Sequence, residues 1–136
     1  MNSEGNLRLH IVTPTSQLLS THVDEVVIPA KNGQMGILPG HTPILTFLGA
    51  GPLAYIKEGQ VHILALEGGF AEVNNDRVNV LTEKVFKISE IDREEAEKEM
   101  AEAQKTLLET ELTEEEFERE QIKLAIARTK KELSEK

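Results

Sequence analysis

Apolar and polar positions repeat with two different periods along this chain of 136 residues. In the first part the period is two. Leu7, Leu9 and Ile11 alternate with Arg8 and His10, the pattern of a strand that buries one face. Val23 to Pro29 is a β-branched run closed by proline. Leu53 to Lys57 and Val61 to Leu66 flank Glu58-Gly59-Gln60, and Phe70 to Val73 and Arg77 to Leu81 flank Asn74-Asn75-Asp76. Both arrangements read as hairpins, because Gly, Asn and Asp tolerate the backbone angles that tight turns need. Asn32-Gly33 is a further turn signal. Short strands with a turn roughly every 8–12 residues predict an antiparallel sandwich or barrel.

Later the period lengthens to that of a helix. All nine glycines and all five prolines precede residue 70, and the residues after Ser89 favour helix. Asp92 can cap a first helix, with Glu95 three positions on as its capping-box partner. Ala96, Met100, Ala103 and Leu107 then form one apolar stripe. Thr113 and Glu116 open a second helix in the same way, and Ile122, Ala125, Ile126, Thr129 and Leu133 continue its stripe. The expected fold is therefore β then α: a sandwich over residues 1–86 and an antiparallel two-helix hairpin over 87–136.

The connection Glu109-Thr110-Glu111-Leu112 holds neither Gly nor Pro. Each of its residues can be helical at a cost of only about a few tenths of a kcal/mol. The same stretch can thus form one continuous helix, roughly 65 Å long at ~1.5 Å per residue. That form forfeits the contact between the two stripes unless a partner replaces it.

Charge adds a polarity to this arm. Residues 86–118 hold 4 basic and 13 acidic residues, whereas 119–136 hold 6 and 3. Arg128, Lys130 and Lys131 suit the negative end of a helix dipole, and the same cluster can dock on an acidic partner. The whole chain is at −9, which disfavours nucleic acid and does not favour anionic lipid. No apolar run approaches the ~20 residues of a membrane span, so direct insertion is not expected. Met1 to Gly5 lacks the basic-then-apolar order of a secretory leader.

Little here points to catalysis. Cysteine is absent, which excludes thiol nucleophiles, disulfides and thiolate metal sites. The four histidines, at 10, 22, 41 and 62, show no paired ligand spacing, and His10 and His62 fall at solvent-face positions of their strands. Gly33, Gly36 and Gly40 are not followed by the Lys-Ser/Thr of a phosphate loop. No metal or cofactor is expected.

The run from Val26 to Thr46 contains Gly33-Gln34-Met35-Gly36-Ile37-Leu38-Pro39-Gly40-His41, then Thr42, Pro43 and an apolar stretch. Glu67-Gly68-Gly69-Phe70-Ala71-Glu72-Val73, Val78-Asn79-Val80-Leu81-Thr82 and the junction Glu90-Ile91-Asp92 follow in order. Together they resemble the epsilon-subunit family of F-type ATP synthases over nearly the whole chain. The resemblance implies a ten-stranded sandwich followed by a helical hairpin, in a non-catalytic rotor part of a proton-translocating synthase. It implies a sandwich that binds the gamma subunit and rests on the ring of membrane c subunits. It also implies helices that can unfold beside gamma, reach the alpha and beta subunits and restrain ATP hydrolysis. The implied location is peripheral, on the cytoplasmic side of a bacterial inner membrane, or on the thylakoid membrane of a plastid.

By position in the family signature, Gln34 and Met35 are the expected ring contacts, with His41 and Thr42 in the same contact region. His41 can instead hold the turn after Pro39-Gly40. Arg128, Lys130 and Lys131 are the expected contacts of the arm. Some members of the family also bind ATP between the helices, through a junction motif Ile-Asp-x-x-Arg-Ala. Here Glu95 stands in place of that Arg, and Phe86 stands where ATP-binding members carry an acid. A carboxylate there repels phosphate, so ATP is not expected. If it binds, Asp92, Ala96 and Arg128 are the candidates. The alternatives to a rotor subunit are a stand-alone adaptor and a nucleotide sensor, each with an inducible helical arm.

Overall fold

The computed structural model describes residues 5–134. The chain divides into two compact units on either side of the Val85–Phe86 bond. Eight strands precede the helices: β1 (Leu7–Val12), β2 (Gln17–Val23), β3 (Glu25–Ala30), β4 (Gly33–Ile37), β5 (Ile44–Lys57), β6 (Gln60–Asn74), β7 (Arg77–Leu81) and β8 (Val85–Lys87). Hydrogen bonds order them β2-β1-β7-β6-β5-β3-β4, with β8 pairing β6 off this path. Leu9 and Ile11 of β1 share one buried cluster with Val26 and Ile28 of β3, although three strands separate β1 from β3 in the sheet. The sheet must therefore fold over on itself, and its two layers close around an aliphatic core. Truncating one such buried Leu or Ile to Ala costs ~2–5 kcal/mol.

Two details differ from the expected sandwich. Eight strands are found among the described residues rather than ten, because β5 and β6 each run on through what reads in the sequence as two shorter strands. Their ladder is interrupted where Gly49 and Gly68 fall, between the pairs Leu48↔Gly69 and Ala50↔Glu67. In addition, β1 pairs with β7 in parallel, whereas β1·β2, β3·β4, β3·β5, β5·β6 and β6·β7 are antiparallel. No hairpin joins β1 to β7, so no turn dictates their direction.

The glycine at 69 is required by its surroundings. Its φ is 113°, and a Cβ there would overlap the carbonyl oxygen of Leu81 on β7. Glycine alone lets β6 and β7 approach this closely with that backbone angle. Asn75 and Asp76, at φ 50° and 60°, form the two-residue turn between the same strands.

In the second unit a 3-10 turn (Ile88–Glu90) leads into α1 (Arg93–Glu109) and α2 (Glu114–Ser134). The Asp92 carboxylate accepts the amides of Glu94 and Glu95 at 3.0 and 3.3 Å. Thr113 and Glu116 form a reciprocal box: the Glu116 amide donates to Thr113 Oγ1 at 3.2 Å, and the Thr113 amide donates to Glu116 Oε1 at 3.3 Å. Thr110 is extended, so the connection breaks between the two caps and the helices pack as a hairpin. Ala96 and Ala103 on α1, and Ile126, Ala127, Thr129 and Leu133 on α2, are buried. Ile122, expected in the stripe, is exposed, whereas Ala127, not expected there, is buried.

Candidate interaction surfaces

The strand registers line up outward side chains in rows across β1, β7, β6 and β5. Core packing turns Leu9, Ile11, Val78, Val80, Ala71, Val73 and Leu48 inward. Their neighbours therefore face out, because strand side chains alternate. The pairs Val12↔Leu81, Leu81↔Phe70 and Phe70↔Phe47 make one apolar row. The next row runs His10, Asn79, Glu72, Leu45, and the third runs Arg8, Arg77, Asn74. Phe47 is 68% exposed, Leu45 66%, and Phe70 and Leu81 40% each. Exposed apolar side chains are unremarkable singly, but a contiguous group rimmed by polar residues marks a contact surface.

An open hollow of about 400 Å³ lies against one end of this row, lined by Ala30 to Met35 and by Leu45, Thr46 and Phe47. The Lys31 amide donates to the Phe47 carbonyl at 3.0 Å and holds the β3–β4 turn against β5. The structure thus brings Gln34 and Met35 beside Leu45 and Phe47. Gln34 is exposed, whereas Met35 is half-buried and packs on the core. Gln34 is the freer of the two to reach outward.

His41 and Thr42 are not among the residues lining that hollow. His41 Nδ1 lies 2.7 Å from the Thr42 carbonyl oxygen. A carbonyl only accepts, so this contact has Nδ1–H as donor. The His41 amide donates to the Leu38 carbonyl at 3.1 Å, and the Gly40 amide donates to Asp76 Oδ1 at 2.7 Å. His41 thus bonds within its own loop, while Gly40 fastens that loop to the β6–β7 turn. Thr42 is exposed.

In the helical unit the basic cluster is not uniformly available. Arg128 is exposed. The Lys130 side chain is 17% exposed, with Nζ 3.9 Å from the centre of the Phe86 ring and 3.9 Å from Glu99 Oε2. Lys131 is half-buried. Ala96 is buried in the seam, and Asp92 serves as the cap of α1. No helix of the described residues is long and apolar enough to cross a membrane.

The apolar row escaped sequence reasoning for a physical reason. Ile44, Leu45, Phe47 and Leu48 are apolar on both faces of β5, which reads as a strand buried on both sides. The usable signal was Phe70: it sits one position before buried Ala71 in an otherwise alternating run, so it has to point away from the core.

The sequence profile of the family described as ATP synthase, Delta/Epsilon chain, beta-sandwich domain, matches residues 6–88. The ATP synthase epsilon chain of Citrifermentans bemidjiense is 45% identical over 101 residues, covering 74% of this chain and 73% of the relative. That of Geotalea daltonii is 43% identical over 101 residues, with the same two shares of 74% and 73%. Among solved structures, a chain of the Euglena gracilis mitochondrial ATP synthase (OSCP/F1/c-ring, rotational state 1) superposes with a TM-score of 0.81. Its identity is 26%, over 95% of this chain and 80% of that one.

Proposed function

This chain belongs to the ATP synthase epsilon-chain family, and we propose that it docks on the synthase's central shaft through the exposed face of its sandwich. It is a non-catalytic subunit of ATP synthase. The observation that carries the docking role is the row Phe47, Phe70 and Leu81 with neighbouring Leu45, apolar and exposed on a sheet face otherwise lined by polar groups. The occupant of this row is a gamma-type shaft subunit. The turn carrying Gln34 and Met35, beside the row, meets the ring of membrane subunits. Rows held by three neighbouring strands give a stiff foot, as a part that transmits torque requires.

The helical unit is an arm with two resting forms. In the hairpin it buries its small-residue seam. Extended along the shaft, it restrains hydrolysis, with Arg128 as the free cation on an acidic partner surface. The arm works without bound ATP: Asp92 already serves as a cap, Lys130 covers Phe86, and Glu95 adds a negative charge to the first turn. The subunit sits peripherally on the membrane complex, on the cytoplasmic face of a bacterial inner membrane.

The test is reconstitution with the cognate gamma subunit and catalytic head. The full chain is expected to co-purify with gamma. Deleting residues 88–136 is expected to leave assembly intact and to raise ATP hydrolysis. Failure to bind gamma removes the docking role, and unchanged hydrolysis in the truncated complex removes the inhibitory arm.

A further inference from the structure

We propose that the sandwich also holds an oxyanion-binding site, built by Arg8, Arg77, His10 and Asn79 on the polar rows of the same face. Up to Val85 the sequence has 5 basic residues against 8 acidic ones, and only two of the five are arginines. Those two, Arg8 and Arg77, stand directly opposite each other on the parallel strands β1 and β7. Like charges placed opposite on neighbouring strands destabilise a sheet. Among the described residues neither arginine has a carboxylate partner. Arg8 Nη2 donates to the neutral Ser20 Oγ at 3.2 Å.

The next pair along the same strands is His10 and Asn79, both partly buried. His10 Nε2 is enclosed and has no hydrogen-bond partner, a state that native proteins rarely leave uncompensated. Among the described residues, these four side chains line a hollow of about 260 Å³. Solvation of two surface arginines softens their repulsion. It supplies neither arginine with a counter-charge at ion-pair distance.

An oxyanion answers the juxtaposed arginines, whose side chains line the hollow. Guanidinium groups present forked N–H donors that match the oxygens of a carboxylate or a phosphate, and the Asn79 amide adds further donors. The hollow is too small for a nucleotide and suits a single phosphate or carboxylate group. Glu72, opposite Asn79 on β6, lines the adjoining hollow with Arg77 and opposes anion binding. The site borders the docking surface, whose Leu45 ends the row of His10 and Asn79, but it takes a different ligand chemistry and is tested without the shaft subunit.

The experiment titrates the full chain with inorganic phosphate and, separately, with acetate at constant ionic strength. NMR follows the arginine Nε–H, the His10 ring and the Asn79 side-chain amide. The expected result is a saturable shift at these groups with half-saturation below ~10 mM. Arg8→Gln and Arg77→Gln should each weaken binding at least ~10-fold, and Glu72→Gln should tighten it. Arg77→Gln should also raise Tm in anion-free buffer and abolish the further rise that phosphate gives to the unmodified chain. Tighter binding of phosphate assigns a free or esterified phosphate as the occupant, and equal or tighter binding of acetate assigns a carboxylate. Absence of saturable shifts with both anions, or binding unchanged in both arginine variants, overturns the proposal.

Discussion

Truncating Phe47 to Ala isolates the contribution of the apolar row to shaft docking. A phenylalanine presents about 200 Å² when fully accessible, and Phe47 is 68% exposed, so a partner can cover roughly 140 Å² of it. At ~25 cal/mol per Å² the transfer is worth about 3 kcal/mol. Ordering of the interface and imperfect fit consume part of that. The expected loss is ~1–3 kcal/mol, a Kd weakened roughly 5- to 150-fold. Because the ring is outside the core, the fold should survive unchanged, and circular dichroism and Tm check that. The assay is calorimetric titration of the full chain with isolated gamma subunit. Val61→Ala, on an exposed side chain at the far end of β6, serves as the control and should bind normally. If Phe47→Ala and Phe70→Ala both bind within twofold of the unmodified chain, the row is not the docking face.

Three further outcomes are expected. Glu111→Pro should leave the hairpin intact, because Thr110 before it is already extended, while costing a continuous helix ~3 kcal/mol; inhibition that survives this change rules out straightening of the arm. Gly69→Ala, blocked by the Leu81 carbonyl and by a φ of 113°, should destabilise the sandwich by at least ~2 kcal/mol and lower Tm by ~10 °C or more; a Tm lowered by less than ~2 °C, equivalent to ~0.5 kcal/mol or less at ~4–8 °C per kcal/mol, contradicts the close approach of β6 and β7. Hydrogen bonds from Thr113, its side chain first and its backbone second, hold the Glu116 carboxyl below its ordinary range. A depressed folded-state value adds stability that is present above the unfolded-state value and fades as pH falls through the folded one. Carbon-detected NMR titration should therefore place the Glu116 midpoint below the ordinary glutamate value, and a midpoint at or above that value contradicts the box.

Much of this molecule was legible in its residues. The alternation of Leu7, Leu9 and Ile11 and the Asn75-Asp76 turn report local physics, and both helix caps follow from Asp92 and Thr113 because capping involves only near neighbours in sequence. What was hidden depends on partners distant in sequence. The parallel alignment of β1 with β7 brings Arg8 to Arg77, and nothing near either residue announces it. The continuity of β5 and β6 is masked by glycines at 49, 51, 68 and 69 that resemble strand ends. The Lys130 side chain reads as part of a basic tip, yet it turns over Phe86 because the seam between the helices sets its direction. His10 reads as a solvent-face residue, yet its position between β2 and β7 encloses its Nε2.

The chain has no cysteine, so a single introduced thiol can report on each surface. Phe47→Cys, Phe70→Cys, Leu81→Cys and Val61→Cys variants of the full chain would be labelled with a maleimide, with and without saturating gamma subunit. A labelling rate that falls at least ~10-fold at 47, 70 and 81 and stays constant at 61 is the predicted result. Equal rates with and without gamma at 47, 70 and 81, in a complex shown to have formed, would contradict it.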